Sequence, residues 1–237
     1  MRIKHKSSEN NENNIFWITM TDLMTALVLA FIVLFFYSYM TSFYEKIQQS
    51  AEREKATQAL EQTLKAQKID TAVDISTGVV KISDLSLFTL NSHELSPEGK
   101  KFMEKFVPAY LDSLFTNEYM AEHIDKIIIQ GHTDSQTFKG EFSAEEQYMK
   151  NMELSLKRAF TVANYITSTK YDRKYGERLR KMVIVEGASY SSPIIRQGKE
   201  DYDKSRRVEL KLVMKEKDKF LETQNKNFDK SNHSEKD

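Results

Sequence analysis

An apolar run from Ile15 to Met40, IFWITMTDLMTALVLAFIVLFFYSYM, constrains this chain more than any other feature. It is too long for the core of a signal peptide, and no small-residue cleavage pattern follows it, so it reads as a permanent membrane anchor. Asp22 lies inside it. A carboxylate at membrane depth costs about 2.5–3.5 kcal/mol on insertion scales and by default marks an ion or proton pathway or a buried pairing site. Aspartate is also a favoured N-cap, so a helix could instead begin at Leu23. The 18 residues from Leu23 to Met40 would then extend roughly 27 Å, barely a bilayer core. Ile15, Phe16, Trp17, Ile18 and Met20 argue for the earlier start, because they are apolar and Trp17 suits an interfacial belt. That start puts Asp22 about 7–8 Å below Trp17 along the helix axis.

Arg2, Lys4 and Lys6 precede the span, and only Lys46 lies in the ten residues after Met40. The bias orients the leader, 1–14, to the cytoplasm and the remainder across the membrane. The formal net charge is zero, and no basic stripe interleaved with aromatics appears, so direct nucleic-acid binding is not expected. Cysteine is absent, which excludes a disulfide framework, a thiolate nucleophile and a thiolate metal site.

No glycine or proline occurs before Gly78, and residues 41–68 are rich in Ala, Glu, Gln, Lys and Leu. The spacing predicts a helical stalk continuing from the membrane helix at 15–40. Phe43, Ile47, Ala51, Leu60 and Leu64 form a stripe too broken for a coiled coil, leaving a solvated linker and a self-pairing helix both open.

Residues 69–215 read as a folded domain. Ala72 to Ser83 suggests a hairpin turning near Gly78. Ser96-Pro97-Glu98 starts a helix to about Thr116, and Ser143-Ala-Glu-Glu146 is a capping box opening another to about Ser168. Strands are expected at 125–130, 181–186 and 206–214. Alternating strands and helices imply an α+β chain whose domain is an α/β sandwich with helices on one face of a mixed sheet. The polar residues 216–237 read as disordered. On the long helix, Tyr148, Asn151, Ser155 and Arg158 share one face, while Met152, Leu156, Ala159, Phe160, Ala163 and Ile166 share another that is expected to be core. Arg158 could make a surface salt bridge or read a ligand carboxylate. His132 and Asp134 offer two metal ligands at best, and a triad built on them lacks a nucleophile elbow. Neither catalysis, metal nor cofactor is expected.

Three segments in order, Gly131-His132-Thr133-Asp134-Ser135, Asn151-x-x-Leu154-Ser155-x-x-Arg158-Ala159 and Ser205-Arg206-Arg207-Val208-Glu209-Leu210, closely resemble the OmpA-like peptidoglycan-binding domain. That resemblance implies a pocket for the diaminopimelate of a stem peptide. Asp134 would take the amino group and Arg158 the carboxylate, while Thr133, Asn151 and Leu154 line the pocket. Arg206 and Arg207 match paired arginines, of which one usually supports the site. Two segments depart from the pattern: the 16 residues between Asp134 and Asn151, and Glu186 to Pro193 in place of a glycine-rich loop. Either could reshape or close the pocket.

Phe16-Trp17-Ile-Thr-Met-Thr-Asp22-Leu-Met-Thr-Ala26, followed by a stalk and an OmpA-like domain, resembles MotB-type stator subunits. The short leader, the run at 154–158 and the Ser-Arg-Arg-Val-Glu-Leu strand look more like the ZorB branch, from Zorya anti-phage defence, than like flagellar MotB. The resemblance implies an inner-membrane, single-pass homodimer with its C-terminal domain in the periplasm and Asp22 as the proton-carrying residue. It also implies a MotA-like (ZorA-type) membrane ring of five subunits, peptidoglycan as anchor, and cytoplasmic defence effectors reached indirectly. A flagellar stator and a passive wall tether stand as alternatives.

Overall fold

The computed structural model describes residues 6–89, 92–168 and 173–215. The expected disordered tail, 216–237, lies outside the described residues. Helix α1 (Lys6–Ala66) is continuous, and the chain divides within it into two compact units, Met1–Glu52 and Arg53–Asp237. In the first unit the helix is long and apolar enough to cross a membrane by length and composition, with a mean hydropathy of 2.2 over 18 residues. Because α1 begins at Lys6, Asp22 lies in the helix interior and cannot be its N-cap. The polar residues ahead of Ile15 contain no breaker and simply extend the helix.

The second unit takes in the last turns of α1. Ala56, Leu60 and Leu64, spaced four apart on one helix face, are at most 5% exposed and belong to the domain core. The expected stalk at 41–68 is therefore not all linker: its C-terminal part packs on the domain. Of the stripe, Leu60 and Leu64 pack on a sheet and helices rather than on a heptad partner, while Phe43, Ile47 and Ala51 are exposed. The helix stops in a Schellman arrangement, with Lys68 at φ 56°. Ile69 N–H donates to Leu64 O at 3.0 Å and Lys68 N–H to Lys65 O at 3.0 Å. Leu64 and Ile69 both enter the core, the apolar contact that accompanies this cap.

Strands β1 (Ala72–Asp74) and β2 (Val79–Ser83) form the expected hairpin. Asp74 Oδ1 accepts from Ser76 N–H and Thr77 N–H, and Gly78 takes φ +72° at the turn. Then follow α2 (Asp84–Leu87), α3 (Pro97–Thr116), α4 (Glu118–His123), β3 (Ile124–His132), α5 (Ala144–Ser168), α6 (Arg173–Met182) and β4 (Val183–Gly187). A small hairpin, β5 (Ile195–Arg196) with β6 (Lys199–Glu200), and α7 (Tyr202–Ser205) lead into β7 (Arg207–Met214). The two helix starts expected from the sequence are formed by their caps. Ser96 Oγ accepts from Gly99 N–H at 2.9 Å, and Ser143 and Glu146 exchange bonds at 2.8 and 3.2 Å.

The main sheet has the order β1-β2-β7-β3-β4, with β3 and β4 parallel and the other neighbours antiparallel. Alternate residues Val80, Ile82, Val208, Leu210, Leu212, Ile127 and Ile129 enter one core with α3, α5 and the end of α1. The core side of α5 differs from expectation. Asn151, Ser155 and Arg158 are buried with Ala159, Val162, Ala163 and Ile166, whereas Leu156 and Phe160 are 44% and 63% exposed. The polar face turns inward because it borders a charged cavity rather than water.

Candidate functional site

The span around Asp22 offers it no counter-ion. Residues 15–40 contain no lysine, arginine or histidine, and Asp22 is exposed on α1 beside Trp17, Ile18, Thr19, Thr21 and Thr25. The threonine hydroxyls donate back into the helix, Thr19 to Phe16 O at 2.9 Å, Thr21 to Trp17 O at 2.7 Å and Thr25 to Thr21 O. This is how a hydroxyl is satisfied where water is excluded. In lipid the carboxylate must therefore be neutralised by a proton, a bound cation or a group from another chain.

A second site is a cavity of about 570 Å³ in the folded domain. Six of the seven residues expected there line it: Thr133, Asp134, Asn151, Leu154, Arg158 and Arg206. Thr133 and Asp134 leave the end of β3, where pairing with the chain after β4 continues through Ala188 N–H to Gly131 O and Thr133 N–H to Ser189 O, both 2.9 Å. Close approach of α5 to this strand end depends on Gly131, where a Cβ would meet Ser155 O at 2.0 Å. Asn151 donates to Gln147 O at 3.1 Å, and Asp134 is ion-paired with Arg206, which also holds Asp203.

Arg207 lies elsewhere. Successive strand residues point to opposite faces, so adjacent arginines cannot both reach the cavity. The Nε of Arg207 donates to Glu209 Oε1 at 2.6 Å, and its Nη1 donates to Ser205 O at 3.0 Å. His132 lies on this face too, 3.5 Å from Glu209, and burial lowers its pKa against the Glu209 hydrogen bond. Burial alone would raise Glu209, but hydrogen bonds from His132 and Arg207 hold its carboxyl well below the usual range.

Asp84 is the charged residue at the buried end of the cavity that sequence reasoning missed. It opens α2 directly after β2, and its Oδ2 pairs with Arg158 Nη2 at 3.0 Å, both side chains nearly fully buried. Arg158 Nε also donates to Ser92 O at 2.9 Å. A lone aspartate after a strand gives no spacing signal, and only the fold brings residues 84 and 158 together. Burial pushes the Asp84 carboxyl up to about 6 despite the guanidinium groups of Arg158 and Arg206.

Three buried polar atoms of the lining residues have no hydrogen-bond partner: Asp84 Oδ1, Thr133 Oγ1 and Arg206 Nε. Residues lining one cavity thus carry an anionic acceptor, a hydroxyl and a cationic donor that are buried and unsatisfied, a set complementary to a zwitterion. Of the two segments that depart from the OmpA-like pattern, 135–150 contributes to the lining and 186–193 does not. The latter is tied to α5 instead, with Ser189 N–H donating to Ser155 Oγ at 3.1 Å and Tyr190 edge-on to Tyr148.

No family model matches the chain. Over 219 residues it is 31% identical to the Zorya protein ZorB of Escherichia coli strain Crooks, covering 88% of this chain and 90% of that relative. A second Zorya protein ZorB, from Escherichia coli O139:H28, is 25% identical over 224 residues, 89% of this chain and 84% of the relative. Among solved structures, a putative MotB like protein from Desulfovibrio vulgaris superposes with a TM-score of 0.50 at 20% identity, covering 73% of this chain and 99% of the other. That likeness shows the fold, a MotB-like domain. Identity of 31% across close to nine-tenths of both chains shows more: the protein belongs to the ZorB family of Zorya proteins.

Proposed function

We propose that this chain is the peptidoglycan-anchored subunit of an ion-driven membrane motor in Zorya anti-phage defence. The observation that carries the anchor is the cavity with its three unpaired polar atoms. In this reading the ammonium group of a diaminopimelate reaches Asp134 and the free Oδ1 of Asp84. Its carboxylate meets the guanidinium edges left over by the existing pairs, Arg158 Nη1 and Arg206 Nε. Thr133 and Asn151 orient it, and Leu154 covers its aliphatic chain. Arg207 supports β7 from the opposite face and does not touch the ligand.

Asp22 carries the motor half. A proton entering from the periplasm neutralises the carboxylate and lowers its cost in an apolar seam, and release to the cytoplasm restores the charge. Each charge crossing 100 mV supplies about 2.3 kcal/mol, available to turn a five-subunit MotA-like ring about a dimer held to the wall. The ZorB relationship favours defence over flagellar rotation, and the uncompensated carboxylate favours a motor over a passive tether.

Two experiments test the halves separately. Asp22→Asn keeps the size and removes titration, so proton flux in vesicles carrying this chain and its ring partner, together with phage defence, should both be lost. Retained flux and defence would exclude the proton role. Asp134→Asn removes one charge-assisted contact worth about 1.5–3 kcal/mol, so retention on purified sacculi should fall roughly 10- to 100-fold. Undiminished retention would show that the cavity is not the wall site.

A further inference from the structure

The 16-residue connection from Ser135 to Lys150 does not close the cavity but builds part of it. Gln136, Thr137, Phe138, Lys139, Phe142 and Lys150 all contribute to the lining. This wall is fixed by specific bonds. Gln147, buried on the first turn of α5, accepts from Phe138 N–H at 2.8 Å and donates to Phe138 O at 3.2 Å. Ser135 is held by Glu200 of the small hairpin, and Gln136 N–H donates to Asp134 Oδ1 at 3.2 Å. Lys150 Nζ lies 4.3 Å from the centre of the Phe142 ring.

The charges of the two ends differ. At the deep end Asp84 and Asp134 are each matched by an arginine. The connection adds Lys139 and Lys150 and no carboxylate, so the lining holds four cations against two anions. Glu141, Glu145 and Glu146 of the same segment lie outside the lining, and Glu146 is bound to Ser143. Lys150 has Glu146 and Glu153 near it, but both are exposed, lie outside the lining and are already bound, to Ser143 and Lys157. A neutral zwitterion at the deep end therefore leaves both lysines with no carboxylate inside the cavity, in a concave site whose walls focus their field.

We propose that Lys139 and Lys150 form a second subsite that takes a further free carboxylate of the ligand, with Phe138 and Phe142 as its apolar floor. The ligand class is then an anionic stem peptide carrying a carboxylate beyond those of its diaminopimelate centre, such as the free α-carboxyl of a neighbouring glutamyl residue. This rests on the reading of the deep end as a diaminopimelate site. The lysines set preference among wall chemistries, while Asp84, Asp134, Arg158 and Arg206 hold the centre common to all of them.

The test uses the full chain in detergent and two purified disaccharide-tetrapeptides, one with the glutamyl α-carboxyl free and one with it amidated. Calorimetry on the unaltered chain should give about tenfold tighter binding of the free acid, the difference of one charge-assisted contact. The double variant Lys139→Gln/Lys150→Gln, at two exposed positions, should bind the amidated peptide as before and lose the preference. Equal binding of both peptides by the unaltered chain overturns the subsite and leaves the anchor standing. A preference that persists in the double variant overturns its assignment to these lysines. Failure of the unaltered chain to bind either peptide overturns the anchor and the subsite with it.

Discussion

Leu60 and Leu64 test where the membrane helix ends and the domain begins. Each is 1% exposed, buried among the strands and helices of the domain. Leu60→Ala or Leu64→Ala removes three carbon atoms, about 2.4 kcal/mol of transfer free energy at roughly 0.8 per methylene. The space left behind adds to this, because the sheet and α3 cannot collapse fully onto the helix, and buried Leu→Ala changes span about 2–5 kcal/mol. We expect about 3 kcal/mol for each. In a domain of this size, 1 kcal/mol moves the melting temperature by about 2–4 °C, so each variant should melt about 6–12 °C lower. A fragment comprising residues 53–215, followed by calorimetry and urea denaturation, is the suitable assay. Gln62→Ala, on the exposed side of the same turns, should stay within about 0.5 kcal/mol. The double leucine variant should fall short of the sum, since the two sites are one turn apart and share a cavity. Shifts below about 2 °C for both leucines would refute the packing argument and return residues 53–66 to a solvated stalk.

Gly131→Ala should cost at least about 2 kcal/mol by urea denaturation and reduce sacculus retention, since its Cβ would sit 2.0 Å from Ser155 O and force α5 off β3. Gly198→Ala, with open space but φ +75°, should cost only about 1 kcal/mol of backbone strain. The Asp84 carboxyl stands at about 6 in the folded chain against an ordinary 3.8, so the folded state binds that proton about 3 kcal/mol more tightly. Its contribution to stability is complete below pH 3.8 and is lost as pH rises through 6. The stability difference between the unaltered chain and Asp84→Asn should therefore shift by about 2 kcal/mol between pH 4 and 7, against the unaltered chain, and parallel curves would contradict this. Tyr110→Phe should raise stability by about 1 kcal/mol in denaturant melts, because that fully buried hydroxyl has no partner among the described residues.

Local chemistry was readable wherever it acts within a few residues. The helix starts at Ser96 and Ser143 depend on caps reaching three positions ahead, and the Gly78 turn depends on Asp74 four positions back. Cavity residues that fall in ordered motifs were also legible, because Thr133–Asp134 sit at one strand end and Asn151–Arg158 on one helix. Asp84 was not, since its meaning comes from a partner 74 positions away. The core stripe expected on α5 holds at Ala159, Ala163 and Ile166 and fails at Leu156 and Phe160 for a related reason: periodicity identifies faces but cannot tell that a polar one turns inward where the sheet end carries charge. The long connection after Asp134 could be counted but not placed, and whether it blocked or extended the cavity depended on Gln147 gripping Phe138.

The sequence by itself determined the long apolar run, the carboxylate within it that no neighbouring cation can neutralise, the order of the main elements and the motifs that line the cavity. Those follow from hydropathy, helix propensity and short-range capping, which act along the chain. Tertiary structure alone decided that α1 ends inside the domain core, that Asp84 pairs with Arg158, that Arg206 and not Arg207 reaches the cavity, and that the extra connection lines it. Each of these depends on groups distant in sequence being brought within a few ångströms, where burial and charge pairing set their energies.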